Sequence, residues 1–224
     1  MSRGRPGRRE VAAAATRREI LDAARRLFAA HGYASTSVQQ IAAESGVAVQ
    51  TIYSSVGSKA ALVLALNDLI DEEADVAELS ARLLKETDAP QMIAKAVQLT
   101  RQLNERCGDL IRVLLSAEPS EPEAAAAVAD GMRRHEQGAS RLGQRLAALG
   151  ALRAGTTPER AGAAFSMMTS PASWRQLTDR AGWSFDEAEA WLVVSLTQLL
   201  LGQSRQPASP DTPSASAGQQ PQAT

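Results

Sequence analysis

Residues able to do covalent or metal chemistry are scarce in this chain. Histidine occurs twice, at His31 and His135, and cysteine once, at Cys107. There is no G-x-S-x-G elbow, no phosphate-binding P-loop, no H-E-x-x-H and no cysteine pair. The carboxylates fall on helix faces among arginines, as solvated surface does. The expectation is no catalytic residue, no metal ligand and no cofactor. Charge, by contrast, is unevenly placed. Residues 1–60 hold nine cations (Arg3, Arg5, Arg8, Arg9, Arg17, Arg18, Arg25, Arg26, Lys59) against four acids (Glu10, Glu19, Asp22, Glu44), a surplus of five, so with a net charge of −1 overall the remainder carries −6. A basic head on an acidic body fits a nucleic-acid-binding unit joined to one that binds something else.

The elements that would position the basic surface are helices. Between Thr36 and Leu62 the apolar residues have the spacing of two short helices crossing at a tight turn. Val38, Ile41 and Ala42 form one buried stripe, Gly46 and Val47 make the turn, and Ile52 closes the pair from the second helix. Gly46 has no Cβ and can take the positive φ that the turn needs. This is the pattern of a helix-turn-helix, whose second helix enters the DNA major groove. A preceding helix spans about 13–31 with Ile20, Ala24, Leu27, Phe28 and His31 at helical spacing, stopped by Gly32. Thr36 and Gln39 match a capping box for the next helix, and a recognition helix is expected over Val49–Ser55.

Beyond the head, Ser58 caps a long helix expected from Lys59 to about Lys85, with Leu62, Leu66, Leu69, Ile70 and Leu83 on its stripe. Helices follow at about 91–106, 109–117, 123–149 and 158–180, the last kinked at Pro171. Ser184 and Glu187 form a capping box before a final helix, 187–201. No segment alternates as a strand, and aromatics make up only 4 % of the chain. The fold class is therefore all-α: an N-terminal three-helix helix-turn-helix domain plus a C-terminal helical domain. The expected units are a disordered basic arm (1–12), the DNA-binding domain (13–58), the helical body (59–201) and a disordered tail (202–224). No apolar run of about 18 residues or more exists to span a membrane, and no apolar stretch follows the basic N-terminus as in a signal peptide. A lone cysteine excludes an internal disulfide and fits a reducing compartment; the expected location is the cytoplasm.

Residues 16–66 resemble the N-terminal domain of the TetR family of bacterial transcriptional regulators, through ILDAARRLFAAHGYASTSVQQIA, ESGVAVQTIY and GSKAAL in order and at matching spacing. The remainder resembles the family's ligand-binding and dimerisation domain in helix content and length. The resemblance implies a dimeric regulator, most often a repressor, that binds a palindromic operator and is released by a small apolar effector. It places Val49, Gln50 and Thr51 at base edges, with Gln50 able to pair bidentately with adenine. Tyr53 and Lys59 match phosphate-contacting residues, with Ser54 beside them. Thr36, Ser37 and Gln39 would add backbone contacts at the start of the second helix. Ala48 stands where the family often has a capping serine, and Ser55 and Val56 stand where it has His or Asn followed by Phe.

The arm Arg3-Gly4-Arg5-Pro6 resembles an AT-hook core, which would lay two arginines in a narrow minor groove; a solvated basic tail is the alternative. The body would pair across a two-fold axis through its last two helices. Trp191, Val194, Ser195, Gln198 and Leu199 lie on one stripe and Ala161, Ala164, Phe165 and Met168 on another, with Gly162 and Ala163 allowing close approach. A pocket would draw on Leu103, Cys107, Leu110, Met132, Phe165, Met168 and Trp174, residue types that are more often plain core. Gln102, His135 and Gln176 are polar candidates. Cys107 reads as a small hydrophobe ahead of a redox sensor. An architectural DNA-bending protein is the competing class, but bending DNA needs no acidic body of this size.

Overall fold

The computed structural model describes residues 7–73, 75–117 and 121–202, and among them every regular element is helical. The head comprises α1 (Arg8–His31), α2 (Val38–Ser45) and α3 (Val49–Ser55). The body comprises α4 (Lys59–Glu73), α5 (Val76–Leu83), α6 (Ala89–Ala117), α7 (Pro122–Ala148), α8 (Pro158–Met168), α9 (Pro171–Arg175) with a π-helical turn at Gln176–Arg180, and α10 (Phe185–Leu200). No single helix among them is long and apolar enough to cross a membrane.

Four boundaries differ from expectation, each for a local reason. α1 starts at Arg8 rather than near Ala13, because Glu10 reaches back to accept from the Gly7 N–H at 2.8 Å and the alanine run that follows has high helix propensity. The expected single helix from Lys59 to Lys85 is broken after Glu73. Asp75 adopts a left-handed conformation (φ 52°) and a separate helix, α5, begins at Val76. The two helices expected at 91–106 and 109–117 are one, since Gly108 costs a long, packed helix only about 1 kcal/mol. Pro171 starts a new short helix after Thr169 and Ser170 rather than kinking a continuous one. The expected disordered tail lies outside the described residues beyond Gly202.

Two apolar cores form. The first is built by Ile20, Ala24, Phe28, Ile41 and Ile52 of the head with Leu62, Leu66 and Leu69 of α4, and continues into the body through Cys107, Leu110, Leu114 and Ala127. The second gathers α5 to α10 around Met92, Ile93, Leu142, Phe165, Trp174 and Leu196. α4 is thus as much part of the head's core as of the body's.

Helices α7 and α8 pack almost backbone to backbone. A Cβ at Gly143 would stand 2.2 Å from the Pro158 carbonyl oxygen, and one at Gly162 would stand 3.0 Å from the Ala139 carbonyl oxygen. Gly162 therefore serves this internal contact and not the approach of a second chain. Ala161 and Phe165 are likewise turned into the core, while Ala164 and Met168 pack against its edge. The outward apolar face of α8 and α10 consists of Met167, Trp191, Val194 and Leu199, between 46 and 67 % exposed. Replacing Gly143 by alanine forces α7 and α8 apart; the expected cost is about 2 kcal/mol or more, read as a fall in the denaturant midpoint.

Candidate nucleic-acid interface and body cavity

The turn between α2 and α3 follows from its residues. Ser37 caps α2: its Oγ accepts from the Gln40 N–H at 3.2 Å, and Gln40 Oε1 accepts from the Ser37 N–H at 2.7 Å. Gly46 takes the left-handed conformation (φ 69°), and the Val47 N–H donates back to the Ala42 carbonyl. Ile52 is fully buried and fixes α3 against α1 and α2. Arg17 of α1 donates to the Ser55 carbonyl at 3.1 Å, anchoring the far end of α3, and Arg26 pairs with Glu44 of α2.

With Ile52 inward, the opposite face of α3 presents Gln50, Tyr53 and Ser54 to solvent, with Thr51 half-buried beside them. Val49 is half-buried and packs on the core, so it offers less surface than its neighbours. Gln39 is exposed at the start of α2. The Lys59 ammonium sits 4.0 Å above the Tyr33 ring and 3.5 Å from the Ala34 carbonyl, which holds it at the α1–α2 corner. Arg8 and Arg9 are exposed on the first turn of α1; Arg3 and Arg5 lie outside the described residues.

Thr36 is the exception. It is buried, and its hydroxyl donates inward to the Gly32 carbonyl at 2.9 Å, so the expected surface contact is not available from it. The capping box is Ser37 with Gln40, one residue later than Thr36 with Gln39, because Thr36 is needed to close the α1–α2 corner. No side chain caps α3 at Ala48, as expected.

The body encloses a cavity of about 440 Å³ walled by α4, α5, α6, α7 and α8. Leu103, Met132 and Phe165 line it, and so does His135, whose Nε2 donates to the Ser166 carbonyl at 3.0 Å. Cys107 and Leu110 do not: they point the other way from α6 into the first core. Met168 packs against the second core without reaching the cavity, and Trp174 lines a smaller cleft on the far side of α6. The indole N–H of Trp174 donates to Thr100, itself a wall residue of the main cavity. Gln102 and Gln176 line neither space. Burial, reinforced by the Glu73 carboxylate 3.5 Å away, pushes the Cys107 thiol up to about 12 and leaves it unreactive near neutrality.

Sequence reasoning missed two arginine clamps on α4. Arg25 of α1 pairs with Glu73 of α4 at 2.6 Å and Asp109 of α6 at 2.7 Å. Arg134 of α7 bridges Asp68 and Asp71 of α4, both at 2.8 Å, and Asp130 of its own helix. Beside it, the Asn67 side chain donates to the Ala127 carbonyl. The only signal for these clamps was the pairing of acids in the second half of α4 with distant arginines, which spacing cannot resolve. Among the described residues no group of three or more His, Cys, Asp or Glu could hold a metal ion.

A helix-turn-helix head fused to a helical body that encloses a cavity is the arrangement the chain presents. Residues 20–66 match the model of the family of bacterial regulatory proteins, tetR family. Residues 20–66 are thus the N-terminal domain that this family model describes, and the chain as a whole shares its fold with solved structures. NalD, the secondary repressor of the MexAB-OprM multidrug efflux pump in Pseudomonas aeruginosa, superposes with a TM-score of 0.65 at 21 % identity over 85 % of this chain and 98 % of its own. A transcriptional regulator from Saccharomonospora viridis, solved in complex with choline, gives 0.65 at 22 % identity over 85 and 100 %. The SmeT–triclosan complex gives 0.67 at 18 % over 84 and 93 %; SmeT is the repressor of the Stenotrophomonas maltophilia multidrug efflux pump SmeDEF. No curated protein sequence matches the chain.

Because the Thr36 hydroxyl faces inward, Thr36→Val is expected to lower stability by about 1 kcal/mol while leaving the salt dependence of DNA binding unchanged. Chemical denaturation and a binding series against salt concentration measure the two separately.

Proposed function

We propose that the protein is a transcriptional repressor that binds a palindromic operator as a homodimer and releases it when a small, mainly apolar effector fills the body cavity. The observation that carries this reading is the physical sharing of α4, which supplies buried side chains to the head's core and Asn67, Ile70 and Asp71 to the cavity wall. A ligand that favours one position of α4 shifts the head with it, and binding at the two sites is then linked. SmeT and NalD are repressors of similar fold, and two of the similar structures hold small molecules.

In this reading the head extends to residue 58 and the body runs from 59 to 201. Gln50 reads an adenine edge, Thr51 a thymine methyl or a phosphate, and Val49 adds a minor apolar contact. Ser37, Gln39, Tyr53, Ser54 and Lys59 hold the backbone, and Arg3 and Arg5 of the arm add attraction to the flanking duplex. The exposed face of Met167, Trp191, Val194 and Leu199, with Ser195 and Gln198 beside it, pairs with a second copy. Pairing sets the recognition helices about 34–36 Å apart, or a multiple of that. The chain acts where DNA is, in the cytoplasm.

The test begins with selection of bound fragments from genomic DNA and proceeds to mobility shift on the selected site. Gln50→Ala is expected to relax preference at one operator position by about 1–3 kcal/mol. Tyr53→Phe and Lys59→Ala are expected to weaken binding to all sequences alike. Trp191→Glu is expected to give a monomer by sedimentation with weakened operator binding. A selected site without two-fold symmetry, or loss of base preference from Lys59→Ala alone, overturns these assignments.

A further inference from the structure

The residues lining the body cavity are most exposed at one place. Of the residues that line it, all are buried or half-buried except Gln137, Gly138 and Arg141, which are exposed and lie within about one turn of α7. Glycine inside a helix costs about 1 kcal/mol relative to alanine, so each one needs a reason. Gly143 and Gly162 have theirs in the close α7–α8 packing. At Gly138 a Cβ would meet nothing within 4 Å. A side chain there would stand among the exposed lining residues Gln137 and Arg141.

The electrostatics of the wall are one-sided. Asp71 is its only carboxylate, and Arg134 already pairs with it. Arg134 in turn is saturated by Asp68 and Asp130. Arg141, at the exposed place, has neither an ion-pair nor a hydrogen-bond partner among the described residues. Away from it, Ile111, Leu114 and Leu115 of α6 meet Ala127 and Val128 of α7 and Ile70 of α4, an apolar end with no free charge. From Ala127 to Leu142 the wall follows α7 for roughly 22 Å.

We infer that the cavity takes an amphiphile with an unbranched apolar body and a single anionic head group, entering tail first past Gly138 and leaving its head at Arg141. The inference rests on the reading of this cavity as the effector site and names the class of effector. A cationic ligand finds no free carboxylate in the wall, and a neutral one of equal length leaves Arg141 unmatched.

Calorimetric titration of the full chain, without DNA, tests this with decanoate, decan-1-ol and decyltrimethylammonium. Decanoate is expected to bind once per chain, about fourfold more weakly for each methylene removed in octanoate and hexanoate. Decan-1-ol is expected to bind about fivefold more weakly than decanoate, and decyltrimethylammonium not at all. Arg141→Gln is expected to bring decanoate and decan-1-ol to the same affinity. Gly138→Leu, placed in open space with the melting temperature as control, is expected to weaken decanoate at least tenfold. Binding of the cation as tight as that of decanoate, an unchanged decanoate-to-decanol ratio in Arg141→Gln, or no binding of decanoate overturns the inference. Unchanged decanoate binding in Gly138→Leu overturns the assigned mouth. A separate shift assay keeps the two readings apart: decanoate that binds without altering operator affinity overturns the release mechanism and supports the ligand class.

Discussion

The structure depends on how firmly α4 is held. Two arginines from neighbouring helices do this, one at each end of its second half. Arg25 ties Glu73 to Asp109 across α1, α4 and α6, and Arg134 ties Asp68 and Asp71 to α7. The Arg25 side chain is only 19 % exposed, so water screens its pairs less than it would at an open surface. Burial works to raise the carboxyl of Asp109, but hydrogen bonds from Arg25 outweigh it and hold the group below its usual range. Asp130 shows the same balance against Arg134. Such pairs add little as net stability, because desolvation consumes much of the attraction, yet removing one partner strands the others. Their main effect is to define one position for α4 relative to both domains.

That position matters because the cores do not respect the boundary between head and body. Leu62, Leu66 and Leu69 are packed with Phe28 and Ile52, while Asn67 and Ile70, on the neighbouring face, border the cavity. A rigid helix with one face in each compartment cannot move in one without moving in the other. Interiors packed this densely tend to switch between discrete arrangements and not to deform smoothly. The clamps are the contacts that would have to be exchanged in such a switch.

Much of this was legible in the sequence, and the exceptions have identifiable causes. The recognition helix came out at Val49–Ser55 because a short apolar pattern and Gly46 bracket it without ambiguity. The capping box slipped by one residue because Thr36 and Ser37 are both competent caps, and only the Thr36 hydroxyl's bond to the Gly32 carbonyl, a tertiary fact, decides between them. The 109–117 helix was separated from its parent because a glycine inside a long helix resembles a stop signal. The cavity lining was the least readable. Periodicity places Leu103, Cys107 and Leu110 on buried sides of α6, but two different compartments lie on those sides. Trp191, Val194 and Leu199, named for a pairing stripe on the last helix, are exposed, whereas most of the stripe named beside them on α8 is turned into the core, since small residues permit close approach whichever neighbour makes it.

The break at Asp75 has a geometric consequence. Asp75, in the left-handed region, precedes α5, whose Val76, Ser80 and Leu83 border the cavity. Because successive residues on a helix are turned by about 100°, shifting this break by one position would rotate all three off the wall together. The shape of the chamber is set by where one helix gives way to the next as well as by the side chains that face it. An insertion or deletion at this joint would replace the whole α5 share of the wall at once, while the walls supplied by α4, α6, α7 and α8 keep their register.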